Sequence, residues 1–483
     1  MRWLRSTVIA LLVSGLLGAC GGGPPPKPVG PPPLNFVVFG DSRPVGTGAQ
    51  PYVLTALANH VAQEKPNVIF HTGDIIDGYG LSENDMRLGY REFRDTVARF
   101  GAPIYTVPGN HDVFDALSER IYTEEMGPLR RVVAIGGCAF FLLDTEELGA
   151  PMRISDEQYY WLERQLQRGA KNSRAMFAVM HRPMWPVGPH KGDGLDAYPA
   201  HRDALRDLLV KYGVKLVFSG HEHLYAKVEQ AGITEHITGG GGAPLHDEYD
   251  GASNHYLRVT VEGPYAATEE LPAQPLKVTV RQVRVSDPVR AALENAKSGD
   301  PNLAIEIMRR GVPADFNHPD VETVVALARM ARGERNQGRK AVGAVLSQRP
   351  RSALTAGNML LHLGWAQEAA GAFHRGLEAR PRDPLLYEGL AESFFQLGNK
   401  TKALKSLDAA LKCDKSYASP HFRKMRHYLA DDEPDKAKAA AGAYVKLRPY
   451  GRRAAEALKL LGRSLPPAPP APKPGGAPAD AGQ

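Results

Sequence analysis

Asp41, Asp74, Asn110, His181, His221 and His223 share one setting: each stands at or just beyond the end of a short apolar run. Phe36–Phe39 leads into Gly40-Asp41, and Val68–His71 into Thr72-Gly73-Asp74. Ile104–Val107 and the turn-forming Pro108-Gly109 lead into Asn110-His111-Asp112. Ala175–Met180 runs into His181, and Lys215–Ser219 into Gly220-His221-Glu222-His223. Asn110 offers a neutral amide oxygen to a hard metal, His111 can hand over a proton, and Asp112 can hold that imidazole in orientation. Ligands of open α/β sheets bind beyond the carboxyl ends of strands, so five such ends can converge on one site. That convergence argues for an enzyme.

Helices must carry the chain back between those runs. Pro51–Lys65 places Leu54, Leu57, Ala58 and Val61 on one face, and Glu83–Phe100 reads as a second amphipathic helix. Asp156–Arg168 and His201–Tyr212 each precede one of the late apolar runs. This alternation predicts an α/β domain with a mainly parallel sheet. After His223 come short β-like stretches, Ala226–Val228, Ile233–Ile237, Tyr256–Val261 and Leu276–Val285, which supply a second sheet packed on the first.

Around Asp287-Pro288 the texture becomes purely helical, with an internal offset of 34 residues (398 − 364). Gly364, Gly398 and Asp432 share one register position; Ala369, Ala403 and Ala437 share a second; Phe373, Leu407 and Ala441 share a third. Pro381 and Pro449 mark a fourth, two periods apart. Small residues at helix crossings and a proline between units are what stacked hairpins require. Pro350–Pro449 resembles tetratricopeptide repeats, with degenerate units before it. The resemblance implies an α-helical solenoid that binds a protein or peptide partner on its concave face and takes no part in the chemistry.

The 483 residues are 43% hydrophobic and 23% charged, with a net charge of +6. That is ordinary globular composition, and no basic run interleaved with aromatics signals nucleic-acid binding. Met1–Arg5 is positively charged, Thr7–Leu17 is apolar but too short to span a bilayer, and Leu17-Gly18-Ala19-Cys20 follows. This start resembles a bacterial lipoprotein signal, which implies cleavage before Cys20, lipidation of its thiol and a place in the cell envelope, periplasmic or on the outer surface. Cys138 and Cys413 fall in different domains, so no disulfide framework is predicted. The expected organisation is a signal peptide at 1–19, a proline-rich tether at 20–33, the α/β domain at 34–286, helical repeats at 287–464, and a disordered Pro/Ala-rich tail at 465–483.

In order, Asp41, Gly73-Asp74, Gly109-Asn110-His111-Asp112, His181 and Gly220-His221-Glu222-His223 resemble the signature of the calcineurin-like metallophosphoesterase superfamily, over about Leu34 to Val285. The resemblance implies a two-sheet α-β-β-α sandwich and two divalent ions. One takes Asp41, Asp74 and His223; the other takes Asp74, Asn110, His181 and His221. A bridging carboxylate suits ions about 3.5–4 Å apart, and mixed N/O ligation suits Mn, Fe or Zn. By the same resemblance a metal-bound water attacks the phosphorus of a mono- or diester, and His111, oriented by Asp112, protonates the leaving oxygen.

Lys215–Tyr225 looks like the purple-acid-phosphatase branch, although Asp77 stands where that branch has a metal-binding tyrosine. Protein Ser/Thr phosphatases match poorly, because Gly78-Tyr79 replaces their Arg-Gly. Family members commonly have a metal-binding histidine two residues after the first aspartate; here it is Arg43, which has no lone pair to donate. Arg43 either faces solvent or grips substrate phosphate. The competing functional reading is a membrane-anchored repeat scaffold whose metal site is weak or inactive. Among lesser candidates, Asp77 supports the site or caps a loop, and His190 and His201, in and after Gly188–Gly194, either reach substrate or, as the preferred reading, are solvated loop residues. Gly239–Gly242 reads as a tight turn near the site, and His60 and His236 as surface or packing residues.

Overall fold

The computed structural model describes residues 30–46, 48–267, 272–313 and 316–475; Cys20 and the signal segment lie outside them. Among the described residues, eleven strands form two sheets: β1 Leu34–Phe39, β2 Val68–His71, β3 Ile104–Thr106, β4 Arg131–Ile135, β5 Cys138–Leu142, β6 Ala175–Val179, β7 Leu216–Ser219, β8 Tyr225–Gln230, β9 Ile233–Thr238, β10 His255–Glu262 and β11 Lys277–Arg284. The first sheet runs β11-β10-β1-β2-β3 and the second β4-β5-β6-β7-β9-β8. β1, β2 and β3 are parallel, as are β5, β6, β7 and β9; β10 and β11 extend the first sheet antiparallel on one side, and β4 and β8 flank the second antiparallel on both.

The apolar runs are continuous because each central strand is covered on both faces. In β1, Leu34, Phe36 and Val38 enter the core between the sheets, while Val37 and Phe39 pack under the outer helices. β5 and β6 alternate in the same way, Phe140 and Phe177 inward, Phe141 and Ala178 outward. Phe36 meets Phe140 and Phe177 edge-on at 4.9 and 5.3 Å across the gap. Helices Tyr52–Glu64 and Glu83–Val97 cover the first sheet; Asp156–Asn172 and Pro199–Lys211 cover the second. The result is the α-β-β-α sandwich that the family resemblance implies, but the strands divide differently from the expectation. Those after His223 form no sheet of their own, β8 and β9 joining the second sheet and β10 and β11 the first, so the site strands come from both sheets.

Beyond Asp287 the described chain is helical. Pairs Ala353–His362 with Ala366–Ala379, Pro384–Gln396 with Lys400–Cys413, and Ser419–Ala430 with Pro434–Leu447 form the in-phase units. The register residues explain the period. Ala369, Ala403 and Ala437 are fully buried at helix crossings. Gly364, Gly398 and Asp432 take φ of +75°, +72° and +56°, the left-handed turn between the helices of each pair.

The solenoid is docked against the sandwich. Arg380 and Arg448, two periods apart, both reach it: Arg380 donates to Asp85 at 3.0 and 2.8 Å, and Arg448 Nη1 to the Phe114 carbonyl at 3.1 Å. Arg351 pairs with Glu92, and His318 Nε2 meets the Gln50 carbonyl at 3.0 Å. The Pro/Ala-rich tail is described as far as Gly475 and forms neither helix nor strand. It runs along the second sheet's helices, where Tyr198 Oη donates to the Pro466 carbonyl and His201 Nε2 to that of Pro469. Among the described residues, no helix is long and apolar enough to cross a membrane.

Candidate metal centre

The ends of β1, β2, β3, β6 and β7 meet in one place, and the backbone there is strained. Asp41, Asp74 and His221 adopt φ of +56°, +59° and +69°, a region non-glycine residues rarely enter. Such strain persists only where surrounding contacts over-determine it, and it is common at functional sites. The same turns bring bare backbone against the carboxylates. A Cβ on Gly109 would lie 2.2 Å from Asp74 Oδ1, and one on Gly220 would lie 2.4 Å from Asp41 Oδ2.

The six predicted ligands are brought together. Asp41, Asp74 and His181 each offer a donor atom within 4.8 Å of the others. His181 Nδ1 is engaged by the Thr72 carbonyl at 2.8 Å, which turns Nε2 inward, 3.0 Å from Asn110 Oδ1 and 3.5 Å from Asp74 Oδ1. His221 Nδ1 faces that Nε2 at 3.2 Å. His223 Nδ1 is engaged by the Pro244 carbonyl, leaving Nε2 3.5 Å from Asp41. Outer hydrogen bonds that fix imidazole orientation in this way are typical of metal ligands. Burial and the Arg43 charge push His223 down to about 3, so it is a neutral lone-pair donor at ordinary pH. Burial pushes the Asp41 carboxyl up to about 7, whereas at Asp74 burial is outweighed by His181, His111 and Arg43, which hold it well below the carboxylate range. Two carboxylates, an amide oxygen and inward imidazole nitrogens fit divalent cations of the Mn, Fe or Zn type.

His111 is supported differently from the expectation. His111 Nδ1 lies 2.7 Å from Asp77 Oδ1, and Asp77 also accepts from Gly46 N at 3.0 Å. Burial opposes its charge, yet Arg43 and His111 hold Asp77 well below the usual carboxylate range. Asp112, predicted to orient His111, does not. Its oxygens accept from the amides of Asp74, Ile75, Ile76 and Gly109, knitting the two ligand loops together. A carboxylate one residue beyond His111 on a tight turn is drawn to the turn's free amides.

Arg43 does not face solvent: its side chain is 14% exposed, with Nε 3.6 Å from Asp74 Oδ2 and Nη1 3.6 Å from Asp77 Oδ2. Its Nε is buried without a hydrogen-bond acceptor. His190 is not a solvated loop residue either; Nδ1 lies 3.1 Å from Glu222 Oε2 and its ring 4.1 Å from that of His221. His201 is buried away from the ligands, under the C-terminal strap. Gly239–Gly242 lines the site as expected, Gly241 N donating to the Gly40 carbonyl at 2.8 Å. His60 is exposed, and His236 is packed against Phe218 and Tyr225.

Four residues escaped the sequence reading: Arg182, Glu146, Asp193 and His246, whose ring stacks 4.6 Å from that of His223. Arg182 donates to both Glu146 oxygens at 2.7 and 2.9 Å and also to Asp193, while its Nη1 lies 3.3 Å from His221 Nε2. Its place beside His181 was the only sequence signal; Glu146 and Asp193 had none.

Residues 34–225 match the family described as calcineurin-like phosphoesterase. They form a calcineurin-like metallophosphoesterase domain. The chain is 31% identical over 165 residues to a probable glycerophosphodiester phosphodiesterase GpdQ of Arcobacter nitrofigilis, covering 33% of this chain and 57% of that protein. It is 30% identical over 174 residues to the 3',5'-cyclic adenosine monophosphate phosphodiesterase CpdA of Escherichia coli K12, covering 35% and 58%. Its metallophosphoesterase part thus spans little more than half the length of these relatives. A purple acid phosphatase from yellow lupin seeds aligns at a TM-score of 0.40 and 17% identity, covering 54% of each chain.

Proposed function

We propose that this protein hydrolyses a phosphate ester at a dinuclear divalent-metal centre. The observation that carries the reading is the convergence of the six metal-competent side chains beside a histidine that a carboxylate holds in place. Ions held by Asp41, Asp74, Asn110, His181, His221 and His223 would supply Lewis-acid activation of water and neutralise charge on the phosphoryl oxygens. The His111 backbone N–H donates to Asp74 Oδ1 at 3.0 Å, while its ring Nε2 stays 3.9 Å from Asp74 Oδ2 and is free to deliver a proton to the leaving oxygen. Asp77 stabilises the protonated imidazole and fixes its tautomer, with Nδ1 bonded and Nε2 directed to the site. Arg43, planar and permanently charged, suits a phosphate oxygen once substrate enters between it and the carboxylates.

Both named relatives are phosphodiesterases, which makes diesters the first substrates to try. The test is turnover of aryl and alkyl phosphodiesters and monoesters by the purified full chain, supplied in turn with Mn, Fe and Zn. Metal-dependent release of alcohol that a chelator stops is the expected result. No turnover with any metal would overturn the reading in favour of a repeat scaffold with a weak site.

The same proposal places the protein in the bacterial envelope, lipid-anchored through Cys20, with a protein or peptide ligand for the repeat faces the sandwich leaves free. Cys20→Ser is expected to move the protein from the membrane fraction to a soluble pool; retention after a high-salt wash would remove the lipid anchor.

A further inference from the structure

The wall of the site on the His111 side is made of two segments with neither helix nor strand, Val45-Gly46 and Gly78–Leu81. Gly46 N donates to the outer oxygen of Asp77, and Gly78 N donates to the His111 carbonyl at 3.0 Å. The Tyr79 ring stands 4.7 Å from that of His111 and 4.7 Å from that of Phe114. These loops therefore fix both the imidazole and its carboxylate, yet neither belongs to a sheet that would hold it.

The solenoid holds them instead. A Cβ on Gly46 would overlap Leu354 at 2.2 Å and meet Leu385 at 3.2 Å, so the first in-phase repeats press on that turn. Gly80 lies against the Tyr417 ring, where a Cβ would come within 3.0 Å. Arg448, just past the last in-phase helix pair, spreads its guanidinium 4.9 Å from the Tyr79 centroid and 4.5 Å from that of Phe114. Its Nη1 also donates to the Phe114 carbonyl. A planar cation on two aromatic faces pins both rings, and Tyr79 is the ring in contact with His111.

We propose that Arg448 is a positioning residue for the proton donor: it acts through Tyr79 to keep His111 aimed at the leaving oxygen, making the repeat array part of the reaction machinery. The inference rests on the hydrolase reading above. Because a misaimed acid slows only reactions that need its proton, the effect must depend on the leaving group.

The test is Arg448→Ala and Arg448→Lys in the full chain, assayed on phosphodiesters spanning alkyl to p-nitrophenyl leaving groups. Arg448→Ala is expected to lower kcat for alkyl esters about tenfold and leave the p-nitrophenyl rate within about twofold, with KM and bound metal unchanged. Arg448→Lys is expected to recover part of the alkyl rate, since a cation remains over the ring. Should the alanine variant fail to fold, Arg448→Gln keeps a donor for the Phe114 carbonyl without the cation, and the same skew is expected. Equal loss on all leaving groups, or no loss, in a folded variant overturns the role of Arg448 alone. Absence of wild-type turnover on every ester overturns the hydrolase reading and this one with it.

Discussion

Asp77 and His111 meet across a sequence separation of 34 residues, with 2.7 Å between Oδ1 and Nδ1. Asp112, next to His111 in the chain, turns its oxygens onto backbone amides instead.

The two carboxylates should therefore fail differently when altered. His111→Ala is expected to slow turnover of alkyl esters by roughly 10²–10⁴-fold with bound metal intact, and Asp77→Asn to reproduce part of that loss. Asp112→Ala should instead lower thermal stability by several kcal/mol, because buried amides of both ligand loops lose their acceptor. Steady-state rates beside melting curves separate the two outcomes.

Asp74→Asn is expected to abolish activity and bound metal together, since that carboxylate lies between the two ligand groups. Elemental analysis of the purified variant, next to wild type treated with chelator, checks this. A variant that keeps two ions per chain would take Asp74 out of the bridging role.

Arg43→His is expected to tighten the ion held by Asp41 and His223 by about tenfold, supplying a nitrogen while removing a competing cation from Asp74. Arg43→Ala should mainly raise KM if the guanidinium grips phosphate. Chelator competition and substrate titration measure the two effects.

Two buried groups outside the site set opposite pH limits on stability. Burial pushes His255 down to about 4 from an ordinary 6.5, so its contribution is complete above pH 6.5 and is lost as pH falls through 4. That shift corresponds to about 3 kcal/mol. Burial pushes Glu235 up to about 7 from 4.5, so its contribution is complete below pH 4.5 and is lost as pH rises through 7. His255→Gln should flatten the acid side of a melting-temperature profile, and Glu235→Gln the alkaline side.

The ligand set was legible because each member is a polar residue ending an apolar run, and the two-sheet fold makes those ends meet. The repeats were legible through Ala369, Ala403 and Ala437, whose small size is required at crossings. Which carboxylate reaches His111 was not, because Asp77 and Asp112 sit in loops whose course depends on packing from elsewhere. β4 and β5 were missed: β4 is only partly buried, and β5 ends without a ligand to mark it. Nothing in the sequence marks Arg380 and Arg448, because their contacts with the sandwich depend on where their loops point.

Contacts between solenoid and sandwich are distributed from Gly311, which accepts from Tyr52, through Arg351, Arg380 and Arg448 to the strap at Pro466 and Pro469. A free-standing array of this kind frays from its ends and melts in increments, each hairpin coupled only to its neighbours. Here every increment would also detach a rivet from the neighbouring domain. Heat should therefore reach both halves as one cooperative transition, and a lesion in a distant hairpin should be felt as loss of the whole protein rather than of one repeat.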